Sequence, residues 1–301
     1  MVKIYKAPYD WPRGPFTWSE GRQLFVSVPF TWNLPAVRQE LEHGSLQFDH
    51  ARVGGPAVAL MPDFLAGIPG VETGGDIPGV LQRVQPLATR STTGCCWKCP
   101  FCAIGQGLIE PGGIQCLKDW PDLPIQADNN LFAAPVSHFD RVIDRLKVWG
   151  WADFNQGVDY RFLTDYHARR IAEIKKPLVR LALDSSSRES KAKWLWAFHK
   201  LRRAGLPKSA IRSYALIGFD TGPKEAWERL RWVESWGIKV APMWYHRLDA
   251  LEYNAVTADQ QKLGWDDEQR KDLMMYYYQH LVRANRKERR FHHPDQMALA
   301  I

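Results

Sequence analysis

TTGCCWKCPFCAIG, Thr92 to Gly105, holds four of the chain's five cysteines, all within the eight residues from Cys95 to Cys102. Thiols packed this closely have no spread of partners for a disulfide framework, and a reducing compartment keeps such thiols for a metal. A zinc site calls for a fourth nearby Cys or His, usually from a second paired knuckle, and the fifth cysteine, Cys116, stands alone. Three thiolates on a tight loop suit an iron–sulfur cluster instead.

Outward from this loop the chain alternates between apolar runs and helix-periodic segments. PLATRST leads into the loop as a first strand, and LPIQADNNL follows it as a second. VSHFDRVIDRLKVWG then carries Phe139, Val142, Ile143, Leu146 and Val148 at mostly helical spacing. ADFNQGVDYRF reads as the third strand, before a helix that Thr164 caps; PLVRLALD and IRSYALIGFD read as the fourth and fifth, each followed by a helix, and KVAPMWYHRL as the sixth. Such regular alternation predicts an α/β fold with parallel βα units over residues 85–250. A small αβ domain over 1–84 precedes it, with a strand in QLFVSVPF and a helix in LPAVRQELEHG, and a helical extension over 251–301 follows. Asp249 to Leu263 reads as a connection, and the terminal helix starts near Asp266 or Asp267, with Met274, Met275, Tyr277, Tyr278 and Leu281 available to cover the sheet.

At 301 residues, 45% apolar and 24% charged, the chain is long enough to bury a real core and belongs to no disordered class. It has neither a signal-peptide core nor an apolar run of spanning length, so we expect a cytoplasmic protein with no membrane partner. The net charge of +7 permits an anionic partner without demanding one. Its excess gathers in Lys191 to Gly205 and Val282 to His293, where a solvated helix face explains it as well as nucleic acid does. Tryptophan and basic residues interleave in WERLRW and KAKWLW, as in a surface that stacks a nucleic-acid strand, and the helical period accounts for the same pattern. No phosphate loop, HExxH pair, nucleophile elbow or internal repeat is present.

Two cysteine triplets are available: Cys95, Cys99 and Cys102 at C-x3-C-x2-C, or Cys96, Cys99 and Cys102 at C-x2-C-x2-C. The second is half of a bacterial ferredoxin run, but Ile104 to Glu110 lack the Cys-Pro that completes it. The first, with Phe101 before its last cysteine and Gly94 before its first, resembles the signature of the radical S-adenosylmethionine (SAM) enzymes. That resemblance implies a partial (βα)6 TIM-like barrel, with Cys95, Cys99 and Cys102 holding a [4Fe-4S] cluster whose fourth iron chelates SAM. It also implies reductive cleavage of SAM to a 5'-deoxyadenosyl radical, with electrons from a small reductant protein such as flavodoxin or ferredoxin. Cys96 is then a spare, packed thiol, and Cys116 a buried structural one.

The resemblance assigns SAM-binding roles to residues at the strand ends, where parallel sheets meet their ligands. Asp128, Asn129 and Asn130 end the second strand, where relatives receive the SAM amino group. Asn155, Gly157, Asp159 and Arg161 share one face, and the Asp159–Arg161 pair suits a SAM carboxylate, a polar substrate or an ion pair that closes the barrel. Ser185 and Ser186 stand where relatives contact the ribose or methionine moiety, and a serine N-cap explains them equally. Ile217 and Gly218 lie in a segment similar to the one that stacks beside adenine, although Asp220 replaces its usual proline. Asn155, Tyr245 and His246 are substrate candidates, with a nucleoside or nucleic acid as the preferred substrate.

ARVGGPAVALMPDF resembles a fragment of the cobalamin-binding domain found in some of these enzymes, yet the region is too short for that module and FDHARVGG has the axial-histidine residues at the wrong spacing. Cobalamin is therefore not expected, and the glycines serve a tight turn. The competing function is a non-catalytic iron–sulfur or zinc protein that binds nucleic acid, with the cysteine loop as a staple.

Overall fold

The computed structural model describes residues 11–12, 14–44 and 48–289. Its N-terminal part is a mixed sheet in the order β1 (Phe16–Glu20), β2 (Gln23–Ser27), β3 (His50–Gly54) and β4 (Val71–Thr73). β1 and β2 form an antiparallel hairpin, while β2, β3 and β4 run parallel. Helix α1 (Leu34–Gly44) links β2 to β3, and α2 (Pro56–Leu60) lies between β3 and β4. Val26, Leu34, Val37, Leu41, Val53 and Leu65 pack into a core of their own. Gly54 and Gly55 are required by close approach rather than by a ligand. A Cβ on Gly54 would lie 2.4 Å from the Gly75 carbonyl, and one on Gly55, at φ +103°, 2.8 Å from that of Val28. Helix α3 (Val80–Val84) leads out of this part.

The larger part is a six-stranded sheet joining β5 (Ala88–Thr89) to strands that follow the cysteine loop: β8 (Ile125–Gln126), β9 (Trp151–Val158), β10 (Lys176–Leu183), β11 (Ile211–Ile217) and β12 (Lys239–Trp244). Strands pair in chain order and every pairing is parallel. The loop itself is bounded by two short strands, β6 (Thr92–Thr93) and β7 (Gln115–Cys116). Helices α4 (Val136–Trp149), α5 (Asp165–Ala172), α6 (Arg188–Arg203) and α7 (Pro223–Ser235) bury their apolar stripes against the sheet. Phe139, Val142, Ile143 and Leu146 of α4 all lie in this core; of the expected set only Val148 faces outward. Each fully buried side chain of this size contributes about 1.5–3 kcal/mol.

Alternation sorts β10 and β11 cleanly. Val179, Leu181 and Leu183, with Ile211, Ala215 and Ile217, face the helices, whereas Arg180 and Tyr214 face the other side. Asp153 and Arg180 form a buried ion pair there, and Tyr214 Oη donates to the Asn155 carbonyl at 2.9 Å. β9 slips register between Val179 and Leu181 of its neighbour, and Gly157 sits in the slip at φ +90° under the Tyr214 ring. The tryptophans of KAKWLW and WERLRW largely pack inward: Trp194 is fully buried and meets Trp232 edge-on at 5.3 Å across the seam between α6 and α7.

Asp249 to Leu263 is more than a connection, because it contains α8 (Ala258–Lys262), closed by a capping box between Thr257 and Gln260. α9 (Asp267–Arg289) follows, with Asp266 Oδ1 accepting from Gln269 N–H at 2.7 Å. Leu273 and Tyr277 seat α9 in the main core, and Tyr277 Oη donates to Glu234 at 3.1 Å. The side chains of Leu281 and of the basic tail Val282 to His293 lie outside the described residues. The two cores meet where Thr31 Oγ1 donates to the Ala250 carbonyl at 2.6 Å and Trp32 packs 4.5 Å from His246.

Candidate functional site

The loop between β6 and β7 is closed at its base by the pairing of Thr92 with Cys116. Gly94, at φ +75°, lets the chain turn where no side chain fits: a Cβ would lie 2.1 Å from the Gly113 carbonyl and 2.7 Å from that of Pro111. Across the same neck Gly113 N–H donates to the Cys95 carbonyl at 3.0 Å. Inside the loop Cys102 N–H reaches the Cys99 carbonyl at 3.1 Å, and Gln106 N–H that of Cys102 at 3.0 Å. Cys95, Cys99 and Cys102 are half-buried in this coil, and Cys96 is exposed.

Glu110 locks the neck, and the sequence carried no signal for it. Its Oε2 accepts from Gly94 N–H at 2.6 Å and from Asn129 Nδ2 at 2.8 Å, while Oε1 pairs with Arg90. The partners lie 16 to 20 residues away in an aperiodic loop, so only the folded chain brings them together.

Asp128 forms the floor. Its Oδ1 accepts from the backbone and hydroxyl of both Ser91 and Thr92, at 2.5 to 3.0 Å. Burial pushes this carboxyl up although four donors converge on it, and Oδ2 has no partner. Asp128 therefore ties the second strand's end to the loop's entrance. Asn130, 2% exposed, points at the cysteines: its Nδ2 lies 3.8 Å from Cys95 Sγ, 3.9 Å from Cys96 Sγ and 3.2 Å from Asp159 Oδ2.

Asp159 and Arg161 meet as expected, in a two-pronged pair at 2.7 and 2.9 Å. Trp97 completes the group. Its Nε1 donates to Asp159 at 2.6 Å, and its ring lies 3.9 Å from the Arg161 guanidinium carbon. A residue of the cysteine loop is thus bound to the end of β9. Burial pushes the Cys99 thiol up, against the pull of the nearby Arg161 cation. Asp184, half-buried after β10, completes this crevice and was not among the expected site residues; burial pushes its carboxyl up to about 6, against the pull of Arg161 and Arg229.

Other expected residues have structural partners. Ser186 Oγ accepts from the fully buried Arg229 at 2.6 Å, and Ser185 Oγ accepts from Ser187 N–H at 3.2 Å. The Ile217 carbonyl takes Tyr245 N–H, and buried Gln260 Nε2 donates to the carbonyls of both Gly218 and Tyr245, at 2.9 and 3.0 Å. Phe101 does face this end of the sheet, edge-on to Phe219 at 5.3 Å, with Tyr245 4.9 Å beyond. His246 stacks between Trp32 and Tyr253, and its Nε2 accepts from Asn254 N–H at 3.2 Å. Asn155 contributes its carbonyl to Tyr214. Cys116, expected to be buried, and Cys96, expected to be packed, are both exposed. Cys116 lies on a two-stranded ribbon, which leaves one face to solvent.

Among the described residues no three His, Cys, Asp or Glu side chains stand as a closed metal cage. The donor set nevertheless fits a three-thiolate cluster: soft sulfur ligands, half-buried on one tight coil, beside a buried amide donor. No helix among the described residues is long and apolar enough to cross a membrane. Compared with known proteins, the chain matches no family model and no curated protein.

Proposed function

We propose that this protein is a radical SAM enzyme on a partial (βα)6 barrel, with Cys95, Cys99 and Cys102 holding a [4Fe-4S] cluster at the C-terminal ends of the strands. The observation that carries this reading is the meeting of the cysteine loop with the strand ends through Asp128, Asn130, Asp159 and Arg161. When bound, the cluster supplies the electron that breaks the sulfonium bond of SAM.

The chain's own residues orient and shield. Glu110 and Gly94 fix the loop's neck, and Trp97 holds its crown against Asp159. Arg161, already neutralised by Asp159, offers its remaining edge to a carboxylate, and Asp184 offers a carboxyl that takes up a proton near pH 6. Phe101, Phe219 and Tyr245 give an aromatic wall that keeps water from one side. A nucleoside or nucleic-acid substrate agrees with the net charge of +7, a flavodoxin or ferredoxin would deliver the electron, and the cytoplasm keeps the thiols reduced. The test is anaerobic reconstitution with iron and sulfide, reduction, and assay of 5'-deoxyadenosine from SAM. Formation by wild type and not by the Cys95, Cys99, Cys102 triple alanine variant supports the reading; zinc bound to all four thiols refutes it.

A further inference from the structure

The loop carries one thiol more than three-thiolate ligation uses. Cys96 is exposed beside half-buried Cys95, and both sulfurs lie within reach of one donor, Asn130 Nδ2. That amide nitrogen has two hydrogens and three acceptors, since Asp159 Oδ2 is the third, so the sulfurs share a hydrogen. Asn130 Oδ1 is buried with no partner. A buried amide with an idle acceptor beside two thiols suits a change of state in one of them. A metal-bound thiolate takes the N–H, and a released thiol gives its S–H to the oxygen.

Resting on the three-thiolate reading above, we propose that Cys96 is an exchangeable fourth ligand, closing the cluster when SAM is absent and leaving when SAM arrives. The exchange balances without redox change. The iron–sulfur bond to Cys96 breaks as bonds to the amino nitrogen and carboxylate oxygen of SAM form. Cys96 takes up the proton that the SAM ammonium gives up, and Asn130 Oδ1 accepts the new S–H. Cys95 is the fixed partner, anchored by Gly113 N–H on its carbonyl, whereas exposed Cys96 has room to move away. Such a ligand shields the open iron from solvent and adventitious thiols until the cosubstrate binds.

The full chain, reconstituted anaerobically, is alkylated with iodoacetamide with and without SAM, and each cysteine is read by mass spectrometry. Cys96 is expected to react about tenfold more slowly without SAM than with it. Cys116 should react alike in both, and Cys95, Cys99 and Cys102 should stay protected in both. The EPR spectrum of the reduced cluster without SAM should differ between wild type and Cys96→Ala, and the two should converge when SAM is added. Equal alkylation of Cys96 with and without SAM, or SAM-dependent exposure of Cys95 instead, overturns the exchange and leaves three-thiolate ligation standing. A chain that takes up no iron and sulfide overturns both.

Discussion

Replacing Glu110 with alanine tests whether one carboxylate holds the cysteine loop shut. The side chain is 16% exposed and its partner Arg90 23%, so water replaces the lost contacts only in part. Alanine strands the Gly94 N–H, one Asn129 N–H and the Arg90 cation, whose Nε already lacks a partner. Each orphaned donor costs about 1 kcal/mol here, and loss of the charged pair adds to that, giving roughly 2–4 kcal/mol. Glutamine keeps one oxygen for Gly94 and turns an amide toward Arg90, so about half that loss is expected. Urea unfolding of the iron-free protein measures the total. Hydrogen exchange at Gly94 and Cys95 measures it locally, with protection falling about 30-fold or more for a 2 kcal/mol loss. An alanine variant within about 0.5 kcal/mol of wild type, with unchanged exchange at the neck, would refute this account of the loop.

Gly94→Ala is expected to abolish iron uptake, because its Cβ meets the Gly113 carbonyl, whereas Gly112→Ala, with nothing within 4 Å, should load like wild type. Asp184→Asn should be more stable than wild type at pH 8, by on the order of 2 kcal/mol, and equal to it at pH 4. The sign follows from a folded carboxyl raised to about 6, whose contribution is full below its unfolded value and lost as pH rises through 6. Urea midpoints at pH 4, 6 and 8 check it, and a pH-independent difference counts against it. Trp97→Phe keeps a ring over Arg161 and removes the Asp159 hydrogen bond, so a loss of about 1 kcal/mol is expected in thermal unfolding.

The six central strands were legible because each is an apolar run closed by turn residues and separated by a helix with a 3.6-residue period. β1 and β4 were not, since their short, half-exposed segments bury too little to leave a pattern. Within the site, the cysteine spacing and the Asp159–Arg161 alternation are local, and both residues of that pair meet. Glu110 and Asp184 act through contacts distant in sequence, and nothing near them in the chain marks them. Ser185, Ser186 and His246 occupy the expected strand ends, yet hydrogen bonds and ring stacking within the fold engage them. Position was readable, but which polar atoms the fold itself uses was not.

The Gln260 amide has a mechanical consequence. By joining the carbonyls at the exits of β11 and β12, it makes Phe219 and Tyr245 a single stiff jaw facing Phe101. The bolt of that jaw comes from α8, about 40 residues beyond Gly218, so cutting the chain ahead of Thr257 would loosen the aromatic wall without touching a strand.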